Sequence, residues 1–217
     1  GRLAYDRMWG IEEWAVRHRA RWAVKRGASV LQLNRVAAFL DEEQDRDLAP
    51  VITRTVFRSL LGSNRKEIEA VADIGTVVWR MLGRTEPGLV RKHKQELMGL
   101  LSDESVHVSW MAAGFLAELR AEAADSVPQI MRRMKLATGR RQRGLFLLPL
   151  FFIASESETA RHLIAEGLRD EDPDIRIQCL IVLGRPTVAT EWLIEEMLPY
   201  LEDPDSRVAE AAADAVC

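Results

Sequence analysis

Three stretches of this chain are variations on one pattern: LSDESVHVSWMAAGFLAEL (101–119), LRDEDPDIRIQCLIVLG (168–184) and LEDPDSRVAEAAADAVC (201–217). Each runs from a leucine through an acidic turn to a β-branched residue. Small or apolar residues then follow at plus four, plus seven and plus eight. Anchored on the β-branched residue, the sets are Val108, Ala112, Phe115, Leu116; Ile175, Cys179, Val182, Leu183; and Val208, Ala212, Ala215, Val216. That spacing is the face of an α-helix. The anchors lie 67 and then 33 residues apart, so a degenerate copy is expected between the first two. The apolar run RRQRGLFLLPLFFIA (140–154) stands there without an acidic turn.

Amphipathic segments alternate with these copies: EPGLVRKHKQELMGLL, DSVPQIMRRMKLA, ESETARHLIAEGL and TVATEWLIEEMLPYL. The unit is helix, turn, helix, turn. A lone helix pair cannot bury its apolar faces, and stacking on neighbours builds a continuous core. The expected fold is all-α, a right-handed α-solenoid of about five to six stacked antiparallel helix pairs. No run shows strand alternation with hairpin signals. Abundant Ala, Leu, Arg and Glu, with only 8 Pro and 13 Gly in 217 residues, favour helix for the same reason, since these side chains lose little rotamer freedom there.

The pattern resembles the HEAT-repeat family in its short HEAT-like form, an acidic turn followed by Val-Arg, two variable residues, Ala, two more, and Ala-Leu-Gly. DPDIRIQCLIVLG meets it at Asp172, Pro173, Ile175, Arg176, Cys179, Val182, Leu183 and Gly184. DPDSRVAEAAADAV meets it less strictly, because Arg207 precedes Val208, and the first copy has no arginine at that position. The resemblance covers 87–217. LAPVITRTVFRSLLG with NRKEIEAVADIGTVVWRMLG reads as a diverged pair within 46–86, and 1–45 as a further diverged pair or cap, making 1–217 one array. The last repeat stops at AADAVC, which suggests a truncated unit. The resemblance implies that Arg176 bonds an acid or carbonyl of an adjacent repeat.

The acidic turn 170–174 places aspartates at alternate positions, as a calcium loop does. Ile175 stands where that loop needs glycine, and Ile181 where it needs a bidentate acid, so the turn reads as a helix cap instead. Ser102 or Asp103 is the expected cap of the first copy. His18, His93, His107 and His162 are scattered, and none has another histidine or a cysteine at ligand spacing; no phosphate loop or nucleophile motif is present. No metal, cofactor or catalytic residue is therefore expected. Cys179 reads as a buried thiol, and two cysteines make no disulfide framework.

Two basic clusters remain as candidate partner-binding sites. One is Arg132, Arg133, Lys135, Arg140, Arg141 and Arg143, in a stretch with no acid from Ser126 to Ser155. Six such cations are expected to repel one another unless a partner neutralises them. The other is Arg17, Arg19, Arg21, Lys25 and Arg26, with Trp14 and Trp22 eight residues apart as if on one core face. Residues 1–100 hold 18 Lys/Arg against 13 Asp/Glu, and 101–217 hold 12 against 20. An acidic C-terminal half argues against a general nucleic-acid coat.

The expected function is a non-enzymatic scaffold or adaptor in the cytoplasm, binding another protein or peptide on the curved solenoid surface. HEAT-like repeats also occur in a family of DNA glycosylases, for which Trp110 and Trp192 are candidate aromatics, and in lyase-type proteins that attach bilins. Both stand as alternatives. The longest apolar run, LFLLPLFFIA (145–154), is about half the length of a membrane span and is interrupted by Pro149.

Overall fold

A computed structural model describes residues 18–27, 29, 31–33, 46–62, 64–71 and 87–217. The chain divides into two compact units, Gly1–Glu86 and Pro87–Cys217. All the regular structure among the described residues is helical.

In the first unit, helix α1 runs through 18–25, a helical turn covers 31–33, a 3-10 turn spans Arg46–Leu48, α2 spans Ala49–Leu60 and α3 runs through 65–71. Pro50 stands in the first turn of α2, where its missing N–H breaks no helical bond. Ile52, Val56, Phe57 and Leu60 form the buried stripe of α2, and Ala20, Val24, Ile68 and Val71 are buried on α1 and α3.

The second unit is a succession of helix pairs. The first helix of each pair is α4 (Pro87–Lys92) continued by α5 (Lys94–Leu100), α7 (Val127–Leu136), α10 (Glu158–Ala165) and α12 (Glu191–Met197). The second helices are α6 (Val106–Ala117), α8 (Arg140–Gly144) continued by α9 (Leu147–Ala154), α11 (Pro173–Leu183) and α13 (Ser206–Val216). Second helices pack in order, α6 on α9, α9 on α11 and α11 on α13, and each also meets its own first helix. Short 3-10 turns at Arg120–Ser126, Glu166–Arg169 and Leu198–Glu202 tighten the connections.

This layering explains why the two kinds of helix read differently in sequence. First helices bury one stripe, as in Val127, Ile130 and Met134 of α7. The second helices α6 and α11 lie between neighbours and are buried on most sides: every residue of α6 from Val108 to Ala117 is buried. A helix that is apolar all round is a core helix. The degenerate copy takes its place in the stack. Phe146, Pro149 and Leu150 are buried at the plus-four, plus-seven and plus-eight positions counted from Gln142. Its turn is Thr138-Gly139 rather than acidic, with Gly139 at φ 84, a conformation glycine adopts without Cβ strain.

Two glycines hold the layers close. A Cβ on Gly184 would stand 2.5 Å from Ala215 Cβ and 2.6 Å from Ala215 Cα, so α11 and α13 touch backbone to backbone there. A Cβ on Gly167 would stand 2.6 Å from both Cys179 Sγ and Met131 Cε.

Candidate interaction surface

The acidic turns are the joints of the stack, and each uses the same bonds. Asp103 Oδ1 accepts from Ser105 N–H at 2.8 Å, Asp170 Oδ1 from Asp172 N–H at 2.9 Å, and Asp203 Oδ1 from Asp205 N–H at 2.9 Å. The residue two further on then caps the second helix. Asp172 accepts from Asp174 N–H and Asp205 from Arg207 N–H, both at 2.9 Å. In the first copy the cap is Ser105, which accepts from Val108 N–H. Ser102 and Asp103, expected as caps, do not fill that role, because Asp103 shapes the turn one step earlier.

Arg176 does what the repeat pattern implies. Its Nη2 donates to Asp203 Oδ1 at 2.8 Å and its Nε to Asp203 Oδ2 at 3.0 Å, reaching into the next turn. Its Nη1 donates back to the carbonyl of Asp170, six residues earlier, at 2.9 Å. Arg143 holds the same register 33 residues upstream. Its Nε donates to the carbonyl of Ala137, six residues back, at 3.2 Å, and its Nη1 lies 2.9 Å from Asp172 Oδ2 and 3.2 Å from Asp174 Oδ2. Ser109 fills the position in the first copy, its Oγ 3.1 Å from the carbonyl of Asp103 and accepting from Arg133 Nε at 3.0 Å.

These contacts sort the first basic cluster. Lys135 pairs with Asp170 at 2.8 Å, Arg143 joins adjacent repeats, and Arg133 is bonded to Ser109 and, through Nη2, to the carbonyl of Glu104 at 3.0 Å. Within the chain, two of the six cations are neutralised: Lys135 by Asp170, and Arg143 by Asp172 and Asp174. The counter-charges come from the turn at 170–174, remote in sequence and adjacent in the stack. Burial works to raise the Asp170 carboxyl, but hydrogen bonds from Lys135 and from Asp172 N–H outweigh it and hold it below the ordinary aspartate range. Arg132, Arg140 and Arg141 stay exposed, with no ion pair among the described residues.

In the second cluster, Arg17 and Trp14 lie outside the described residues. Arg19 is exposed. Arg21 Nη2 donates to both oxygens of Asp47 at 2.9 Å, and Lys25 lies 3.3 Å from the same carboxylate. Trp22 does not sit on a core face: it is 57% exposed, with the Arg26 guanidinium 4.1 Å over its ring. Trp110 is buried in α6, and Trp192 on α12 stacks on His162 at 4.2 Å.

Nothing in the residue pattern marks the groove that crosses the second helices. It has a volume of about 750 Å3 between the start of α8, α11 and α13, and Arg140, Ile177, Gln178, Ile181, Arg185 and Ala211 are among its walls. A smaller hollow of about 290 Å3 continues it over Leu147, Leu148 and Phe151, sharing Ile181 and Arg185. Arg207, also on the wall, is spent on Asp205 at 2.8 Å and Asp174 at 2.9 Å. Arg185 is exposed and, like Arg140, makes no ion pair among the described residues. Gln178 is only 3% exposed, and its Oε1 has no hydrogen-bond partner among the described residues. Such an unpaired buried acceptor costs about 1–3 kcal/mol.

No protein-family model matches this chain, and no curated protein matches it. Solved structures do. An engineered protein from the Northeast Structural Genomics Consortium aligns with a TM-score of 0.52 at 16% identity, over 91% of this chain and 95% of that one. A designed armadillo repeat protein aligns with a TM-score of 0.48 at 10% identity, over 94% of this chain and 91% of that one. At such identities the first likeness speaks to the fold alone. Together with the succession of packed pairs, it establishes an all-α solenoid of stacked antiparallel helices.

Proposed function

We propose that this chain is a non-enzymatic scaffold or adaptor of the HEAT-like kind, which binds a protein partner on the face formed by its second helices. One observation carries the reading. The groove across α9, α11 and α13 combines half-buried apolar side chains with two exposed, unpaired arginines and an unpaired buried amide oxygen. Soluble chains rarely leave such groups together without a use for them. First helices carry hollows too, but with their charges largely paired: Lys135 and Asp170, at 2.8 Å, line the one between α7 and α10 beside Met131, Arg132 and Leu163, and Arg169 and Glu196, at 3.1 Å, line the one on α12 beside Trp192. A partner of the cytoplasm suits the two free cysteines.

Of the first basic cluster, Arg132, Arg140 and Arg141 are the members free to meet a partner. Lys135, Arg133 and Arg143 support the joints. The test is affinity capture from lysate with the wild-type chain and with two variants. Arg140→Glu/Arg185→Glu alters the second-helix face, and Glu191→Lys/Glu195→Lys alters the first-helix face. The reading expects a defined set of proteins that is lost with the first variant and kept with the second. The same set on all three chains would contradict it.

A further inference from the structure

Resting on that reading, we propose that the second-helix groove receives an extended peptide segment with carboxylate side chains, and that the Gln178 amide hydrogen-bonds its backbone. Three independent features converge on this chemistry. The floor is apolar and open: Leu147, Phe151 and Ile181 are half-buried and Leu148 is 39% exposed. It suits alternate apolar side chains of a segment laid across the helices.

On the α8 and α11 side of that floor the uncommitted charge is cationic. Arg140 and Arg185 line the groove without an ion pair among the described residues, whereas Arg207 is neutralised by Asp174 and Asp205. Two uncommitted guanidiniums beside an apolar strip fit carboxylates, which they bind bidentately. Glu210 and Asp214 line the α13 end of the same groove. They repel carboxylates there and so set the direction: the acidic side chains of the segment lie over α8 to α11, and the end over α13 is neutral or basic.

Gln178 distinguishes an extended segment from a helix. A helix has satisfied its own backbone groups, whereas an extended chain presents free N–H and C=O groups. Rotation of the Gln178 terminal amide offers a donor or an acceptor to such a backbone. The residue is nine-tenths buried on the groove wall, and its oxygen has no partner among the described residues.

The experiment is fluorescence anisotropy on the full chain with two labelled octapeptides, one alternating Leu and Glu and the other alternating Leu and Lys. The Leu-Glu peptide is expected to bind saturably, at least about tenfold more tightly than the Leu-Lys peptide, and more weakly as salt rises. Arg140→Glu/Arg185→Glu should weaken it at least about tenfold, and Gln178→Leu about three- to tenfold. Both arginines are exposed and unpaired, so the double variant should melt as the wild type does, which separates lost binding from lost fold. No saturable binding below about 1 mM, equal or tighter binding of the Leu-Lys peptide, or no response to the arginine variant would each overturn the proposal. If the lysate partners still depend on Arg140 and Arg185 while the Leu-Glu peptide fails, the scaffold reading stands and the peptide assignment falls. If neither binds, both fall.

Discussion

The Arg176 guanidinium holds both carboxylate oxygens of Asp203, at 2.8 and 3.0 Å, across the boundary between two repeats. The side chains are 13% and 6% exposed, so the pair is shielded from water. Its partners come from α11 and from the turn preceding α13, and the carboxylate shapes that turn by accepting from Asp205 N–H.

Removing one member leaves the other largely buried without its counter-charge. Arg176→Ala should therefore cost about 3–5 kcal/mol in urea unfolding. The double variant Arg176→Ala/Asp203→Ala should cost less than the sum of the single changes. Additive costs would mean that the two residues act independently.

Gly184→Ala tests the contact between α11 and α13. The new methyl would meet the Ala215 backbone at 2.6 Å, so the helices must separate, at about 1–3 kcal/mol. Ala215→Gly in the same chain should restore part of the loss, because it removes the Cβ 2.5 Å away. A thermal melt of the two variants beside the wild type decides it.

Two carboxylates should pull the pH dependence of stability in opposite directions. Asp170 titrates below the ordinary 3.8 when folded. Its contribution is full above that value and is lost as the pH falls through the lowered folded value. Asp170→Asn should therefore lower stability at pH 6 and narrow its gap to the wild type below pH 3. Glu118, pushed up from 4.5 by burial and only partly relieved by Arg120, disfavours the fold as the pH rises past 4.5 and through its raised value. Glu118→Gln should match the wild type near pH 4 and exceed it at pH 7. Melting temperatures across pH 2.5 to 7.5 read both effects.

Cysteine chemistry gives a probe of the stack. Burial pushes the Cys179 thiol up, whereas Cys217 is exposed. A thiol reagent at pH 8 should label Cys217 at once and Cys179 only on unfolding. Prompt labelling of both would mean that α11 opens readily.

The repeat grammar was legible because it is periodic: Ile175, Cys179, Val182 and Leu183 recur in kind at Val108 and Val208, and all four are buried. Arg176 was legible for the same reason. Arg143 was not, since its turn carries no acid and its counter-charges at Asp172 and Asp174 lie 29 and 31 residues downstream. Counting charge along the chain made it a free cation, whereas stacking makes it a joint. The groove was illegible for a related reason. Its walls come from α8, α9, α11 and α13, and Gln178 stands in its helix as an ordinary polar residue until the neighbouring layers bury it.

Photo-crosslinking in cells tests the central claim most directly. A photoreactive residue is placed at Ile181, on the second-helix groove, and in a separate chain at Ile194, on the exposed side of α12. The account predicts discrete protein adducts from position 181 that disappear with Arg140→Glu/Arg185→Glu, and none of those adducts from position 194. Adducts from position 194 alone, or the same adducts from both positions, would contradict it.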